Sequence, residues 1–272
     1  MSTSVIKGGW DCHGHLFGPY EQYPLAADRS YTPPPATEEA YQAHLERLGL
    51  TRGVLVHPSA YGEDHSRLLA ALAAHPSWRG VVVKQQATLN ELSHLRERGV
   101  RAARFSHRSG GGANFAGSAS LADLQAMASS LADAHLHAEL WTDCTALETS
   151  ADTLRALPVP VVIDHMGGFD HRTGITAPGF QALLRLLDTG NAWVKLSAYR
   201  NVLDTELEAA LPFHQALLAA NPERLVWGSD WPHLRIAPEP SALHLLDTFK
   251  AWTADKKLVE SILVTNPTRL YD

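Results

Sequence analysis

Short apolar runs recur eight times along this chain, separated by turn residues and, in most intervals, by an amphipathic helical stretch; few architectures accept that period. The runs are Gly9–His15, Arg52–His57, Gly80–Lys84, Val100–His107, His137–Asp143, Pro160–His165, Ala192–Ser197 and Arg224–Asp230. Helical spacing is read from Thr37 to Leu48, Glu63 to His75, Leu89 to Arg98, Ser120 to Ala134, Phe180 to Leu187, Glu206 to Ala219, Ser241 to Trp252 and Asp255 to Leu263. Eight strands alternating with helices in 272 residues match an α/β fold, the (β/α)8 TIM barrel, whose usual size is about 250 residues, here as a single domain. The main competitor is a doubly wound open sheet. Its dinucleotide-binding form loses support because no Gly-x-Gly-x-x-Gly follows the first run.

Composition narrows the partners. A net charge of −6 leaves no basic footprint, so no nucleic-acid partner is expected. No run reaches the roughly 18 apolar residues of a spanning helix, so no membrane segment is expected. Met1–Lys7 lacks an apolar signal core, and the expected location is cytoplasmic. Cys12 and Cys144 both fall in apolar, strand-like segments and read as a buried reduced pair. Association into a homo-oligomer is left open. The stretch 16–35, rich in Pro, Tyr and Gly, is a long loop of the kind that usually serves function; its Phe17, Tyr20, Tyr23 and Tyr31 either cover a pocket or close the barrel end.

In such barrels the chemistry gathers at the carboxyl ends of the strands. His13 and His15 stand at i and i+2, which on a strand sends both imidazoles to one side. The other strand ends present His57, Lys84, Arg104 with His107, Trp141 with Asp143, His165, Ser197 and Asp230. Any one of these alone is a weak signal; two imidazoles on one strand, a third on the sixth and a carboxylate on the eighth form a specific pattern.

The segments Asp11-Cys12-His13-Gly14-His15, Tyr31-Thr32-Pro33, Gly99-Val100-Arg101-Ala102-Ala103-Arg104-Phe105, Asp164-His165-Met166-Gly167, Trp227-Gly228-Ser229-Asp230-Trp231-Pro232-His233 and Asn266-Pro267-Thr268-Arg269-Leu270-Tyr271 span the chain from first strand to last. In them the chain resembles the amidohydrolase superfamily, within it the branch of 2-pyrone-4,6-dicarboxylate lactonase and related sugar-lactone hydrolases and isomerases. The resemblance implies a small carboxylated or polyhydroxylated lactone as substrate. Asp230 would be the general base, with His13, His15 and His165 polarising the ring carbonyl and Arg104 binding a substrate carboxylate; Arg200 is a second candidate, and Trp141, His57 and Tyr31 are further candidate contacts. A lactone isomerase and a zinc-dependent decarboxylase are the alternatives, and a catalytically dead barrel serving as a binding protein is a fourth.

Two departures qualify the resemblance. Binuclear members of the superfamily carry a lysine on the fourth strand and a histidine on the fifth, where this chain has Arg104 and then Glu139, Trp141 and Asp143. No bridging ligand for two metals is evident; His13, His15 and Asp230 would hold a single zinc or manganese ion if one binds, and activity without a metal is expected. The second departure is a Ser109–Gly112 loop with Arg108 where the pyrone-dicarboxylate enzyme presents another carboxylate-binding arginine, which leaves open whether Arg108 takes that place.

Overall fold

The computed structural model describes residues 5–110, 115–236 and 239–272. Gly111 and Gly112 of the glycine-rich loop lie outside the described residues. Eight parallel strands, β1 (Trp10–Gly14), β2 (Arg52–Val56), β3 (Trp78–Val83), β4 (Val100–His107), β5 (His137–Thr142), β6 (Val161–Ile163), β7 (Ala192–Leu196) and β8 (Leu225–Trp227), pair in sequence order. The ring closes past the end of β8: the His15 amide donates to Trp231 O and the Asp230 amide to His13 O, each at 2.9 Å. This is the expected (β/α)8 barrel.

Strand alternation sorts the side chains into two layers. Val54, Val56, Val81, Ala102, Val162 and Val226 fill the barrel interior. Their neighbours Leu55, Val82, Ala103, Ile163 and Leu225 pack outward against the helices. On β7 this period turns Trp193 inward and Val194 outward, so Lys195 also faces the interior.

The helical ring comprises α1 (Glu38–Leu48), α2 (Ser66–Ala74), α3 (Leu89–Glu97), α4 (Leu121–Asp133), α5 (Cys144–Arg155), α6 (Pro178–Asp188), α7 (Leu211–Ala220), α8 (Ala242–Thr253), α9 (Lys256–Glu260) and α10 (Asn266–Tyr271). Caps fix several starts: Thr88 and Ser120 each form a reciprocal capping box with the acid three residues on. Helix α5 is an addition to the sequence reading. Its sequence CTALETSADTLR is rich in Thr and Ser, which have weak helix propensity, and its buried face is Ala146, Leu147, Ser150, Ala151 and Leu154. Cys144 accordingly opens a helix rather than sitting on a strand, while Cys12 is buried on β1, and both thiols are free. The final segment is also helical, and α10 brings Tyr271, fully buried, to the barrel floor. Among the described residues no helix is long and apolar enough to cross a membrane.

Candidate active site

Three backbone irregularities put the polar side chains in the barrel mouth. On β1 the register with β2 shifts between Asp11 and Gly14. Cys12 belongs to the interior cluster, yet His13 is also turned inward, against Lys195 and Asp164. Strand parity on β6 would send His165 outward with Val161 and Ile163; instead His165 and Met166 take left-handed conformations (φ 49° and 54°) in a tight turn, and the imidazole swings into the mouth. After β8, Asp230 likewise has φ 62°. Gly228 permits this closure, because a Cβ there would lie 2.8 Å from that of His13.

The result is a cluster of His13, His15, His165 and Asp230, the four residues expected to carry the chemistry. Asp230 Oδ1 lies 3.6 Å from His13 Nε2 and 3.4 Å from His15 Nε2, and the rings of His13 and His165 are 4.8 Å apart. The two carboxylate oxygens have different company. Oδ2 accepts from the Tyr199 hydroxyl at 2.7 Å and from Arg200 Nε, whereas Oδ1 faces the imidazoles. Burial alone would raise the Asp230 carboxyl, but His165 and the Arg200 guanidinium hold it well below the usual carboxylate range. His165 is itself kept neutral at neutral pH by burial, so the permanent charge of Arg200 carries that effect.

His15 Nδ1 lies 2.8 Å from Val56 O, and a carbonyl can only accept, so Nδ1 carries the proton. In the neutral ring Nε2 is then a lone pair 3.4 Å from a carboxylate oxygen. Two acceptors so placed call for a species that donates to both, a water molecule, or for a positive ion. His15 thus spends Nδ1 on the backbone and turns Nε2 to Asp230. His165 Nδ1 pairs with the Ser197 hydroxyl at 2.7 Å, leaving its other nitrogen for the mouth.

A cavity of about 340 Å³ opens over the cluster. Arg104, Arg200, Tyr31, His57 and Trp141 line it, as expected of substrate contacts. Arg108 does not; its guanidinium packs 4.6 Å from the Trp141 ring centroid and 3.7 Å from Asp143. His57 donates from Nε2 to Gly62 O, and burial with neighbouring His65 pushes it down to about 3, so it is neutral. Tyr31 lines the wall, whereas Phe17 packs with Ala36, Ala60 and Tyr61 in an apolar cluster that Tyr20 and Tyr23 also touch, so the loop does both of the things its sequence allowed.

The structure gives roles to residues that the sequence left without one. Arg235 lines the cavity with its guanidinium 5.3 Å from the Tyr31 ring centroid, and among the described residues no carboxylate is within ion-pairing distance of it. Asp11 accepts from the amides of His13 (3.2 Å) and Ser229 (2.8 Å) and from the Ser229 hydroxyl (2.6 Å), tying the two strand ends together. Beneath the mouth runs a chain of alternating charge. Tyr271 donates to Glu139 Oε1 at 2.8 Å; Lys195 Nζ lies 2.5 Å from Glu139 Oε2 and 3.3 Å from Asp164 Oδ1; Arg104 Nε and Nη2 reach Asp164 Oδ2 at 2.9 and 2.8 Å. Inward parity on β5 and β7 was the available signal for Glu139 and Lys195; their pairing needed the closed barrel.

Among the described residues, two groups of side chains lie close enough to share a metal ion, His13–His15–Asp230 and His13–Asp164–His165. The second is poorly suited to one, because Asp164 already faces Lys195 and Arg104. In the first, His15 is held as a metal-binding imidazole usually is, by a bond from its other nitrogen to a backbone carbonyl.

With this geometry established, likeness to known proteins becomes informative. A 4-sulfomuconolactone hydrolase from Rhizobium radiobacter is 33% identical over 281 residues, covering 100% of this chain and 92% of that protein. A D-galactarolactone isomerase from Agrobacterium fabrum is 27% identical, across 97% of this chain and 91% of that protein. The crystal structure of a probable 2-pyrone-4,6-dicarboxylic acid hydrolase from Acinetobacter baumannii, with citric acid bound, is 27% identical and superposes with a TM-score of 0.81, covering 97% of this chain and 99% of that one. The amidohydrolase family itself matches residues 10–272, from the first strand of the barrel to its floor, and the chain belongs to that family.

Proposed function

We propose that the protein is a hydrolase that opens a small anionic lactone by attack of water on the ring ester. The observation that carries this reading is the acceptor pair His15 Nε2 and Asp230 Oδ1, 3.4 Å apart beneath a cavity walled by Arg104, Arg200 and Arg235. A water donating to both acceptors is held for attack, and Asp230 Oδ1 takes its proton as the carbon–oxygen bond forms. His13 and His165 face the position of the carbonyl oxygen and stabilise its developing charge in a site largely shut from bulk solvent. Collapse of the tetrahedral species expels the ring alkoxide, which takes the proton held by Asp230, and the product is a hydroxy acid. Guanidinium forks suit carboxylate or sulfonate groups on the substrate. The likeness to named lactone hydrolases supports the same reading.

Lactone isomerisation is the second reading, supported by the likeness to a D-galactarolactone isomerase. There a substrate hydroxyl replaces water as the nucleophile. A panel of anionic and sugar-acid lactones followed by proton release and by NMR separates the two: hydrolysis releases acid, isomerisation moves the ring ester without it. If neither occurs for any lactone, both readings fail.

Two expectations follow from the site. Activity survives exhaustive chelation, because Arg200 and the buried imidazoles already supply electrostatic stabilisation around the reacting ester; metal content by mass spectrometry beside kcat checks this, and restoration of an inert apo protein by stoichiometric zinc or manganese would refute it. Arg200→Met moves the acid limb of the kcat/KM profile upward by roughly 1–3 pH units, since an adjacent cation typically depresses a carboxyl by that much. Asp230 works ionised and its carboxyl is depressed in the folded protein, so losing the cation makes activity fade at a higher pH. An unmoved limb would show that Arg200 does not set the charge state of Asp230.

A further inference from the structure

Lys195 is fully buried on β7, far from any expected binding role, yet its ammonium touches the catalytic cluster. Two buried carboxylates, Glu139 and Asp164, lie within ion-pairing distance of it and hold the group charged. An ammonium has three protons to place and accepts none. Around Nζ stand Glu139 Oε2 at 2.5 Å, Asp164 Oδ1 at 3.3 Å and His13 Nδ1 at 3.4 Å, and each of these residues is completely buried. His13 Nδ1 is therefore met by a donor, and it answers with its lone pair.

We infer that Lys195 is a positioning residue that holds the His13 proton on Nε2, aimed at the reacting ester as a hydrogen-bond donor, and so denies a divalent metal ion the third ligand of the His13–His15–Asp230 group. A neutral imidazole carries one N–H; with Nδ1 accepting, it is on Nε2. The same contact excludes the doubly protonated ring, because an Nδ1–H would oppose the Lys195 ammonium 3.4 Å away. The opposite tautomer would point Nδ1–H at Asp164 Oδ1, 3.6 Å away and beyond hydrogen-bond distance, while setting that N–H against the ammonium. Among the described residues, His13 Nε2 is buried with no hydrogen-bond partner. A buried donor left without a partner is costly, and a developing oxyanion would satisfy it.

The metal consequence is direct. A ligating imidazole must offer a lone pair. Charge repulsion adds to this, since an incoming dication would meet Arg200 beside Asp230 as well as Lys195 behind His13. With His13 presenting N–H, only His15 Nε2 and Asp230 Oδ1 remain, and two donors do not make the three-ligand site that catalytic zinc prefers. The residues present thus do not fit the ion that the family architecture suggests. The inference concerns where a proton sits and stands whether or not the substrate is a lactone.

The test is read first on the unaltered, metal-free protein. Long-range proton–nitrogen NMR on histidine-labelled protein reports which ring nitrogen carries the proton, with the His13 signal assigned by its loss in His13→Gln. The expected pattern is Nε2–H; an Nδ1–H pattern, or an equal mixture, overturns the inference. Zinc affinity, measured by competition with a chromophoric chelator, is the second reading. Lys195→Met alone leaves two buried carboxylates facing each other, so the variant is Lys195→Met/Glu139→Gln, which removes one charge of each sign. It should bind zinc at least tenfold more tightly than wild type. A gain below threefold, or tight stoichiometric zinc in the wild type, overturns the exclusion of the metal.

Discussion

Asp230→Asn is expected to lower kcat by about 10²–10⁴-fold, the usual contribution of a positioned general base. The amide keeps the shape of the carboxylate, and its orientation is set by its surroundings. Tyr199 and Arg200 both donate towards the Oδ2 position, so the amide oxygen stays there and the NH2 group turns towards His15 Nε2. In that pose the amide donates where the water should, and the acceptor pair that holds the nucleophile is gone. The loss should fall on kcat, with KM for an anionic substrate changed far less, because Arg104 and Arg235 of the cavity wall make no contact with Asp230. Circular dichroism and thermal unfolding confirm the fold of the variant. A kcat within tenfold of wild type would remove Asp230 from proton transfer and reopen the choice of base.

Arg104→Met should damage both stability and substrate capture. Asp164 is wholly buried, and Arg104 supplies one of the two cations that compensate it. Removing one partner of a buried ion pair typically costs about 3–5 kcal/mol, which for a chain of this size lowers Tm by roughly 6–20 °C. The Asp164 carboxyl is held well below its ordinary value; burial opposes this, and Lys195 and then Arg104 outweigh it. A carboxyl depressed in the folded state stabilises above its unfolded pKa and loses that contribution as pH falls through the folded one. The gap between wild type and variant is therefore full at neutral pH and closes only in strong acid. Asp164→Asn in the Arg104→Met background should recover part of the loss. On an anionic lactone kcat/KM should fall by about 2–5 kcal/mol, the usual cost of removing one partner of a buried charge pair, with a much smaller effect on a neutral lactone. Equal losses on both substrates would confine Arg104 to holding Asp164.

The period of eight apolar runs was enough for the barrel, because strand alternation and helix capping are local and each βα unit repeats them. The same logic brought His13, His15, His57, Arg104, Trp141, His165, Arg200 and Asp230 towards one end of the barrel before any coordinates, since strand ends in such a fold share a mouth. Helix α5 escaped because Thr and Ser lower its helix propensity. Whether a strand-end side chain enters the mouth was beyond alternation: the register shift on β1 and the left-handed turns at His165 and Asp230 set the directions of three residues against or beyond strand parity. The turn at Asp230 is held by closure of β8 on β1 and by the Asp11 bonds, and the turn at His165 by the Asn201 amide on its carbonyl and by Ser197 on its ring. Likewise nothing in the sequence pairs Lys195, Glu139 and Asp164 with one another. Only closing the barrel places them within ion-pairing distance and shut from bulk solvent, where each charge needs a partner inside the protein, and through Lys195 that need reaches the proton on His13.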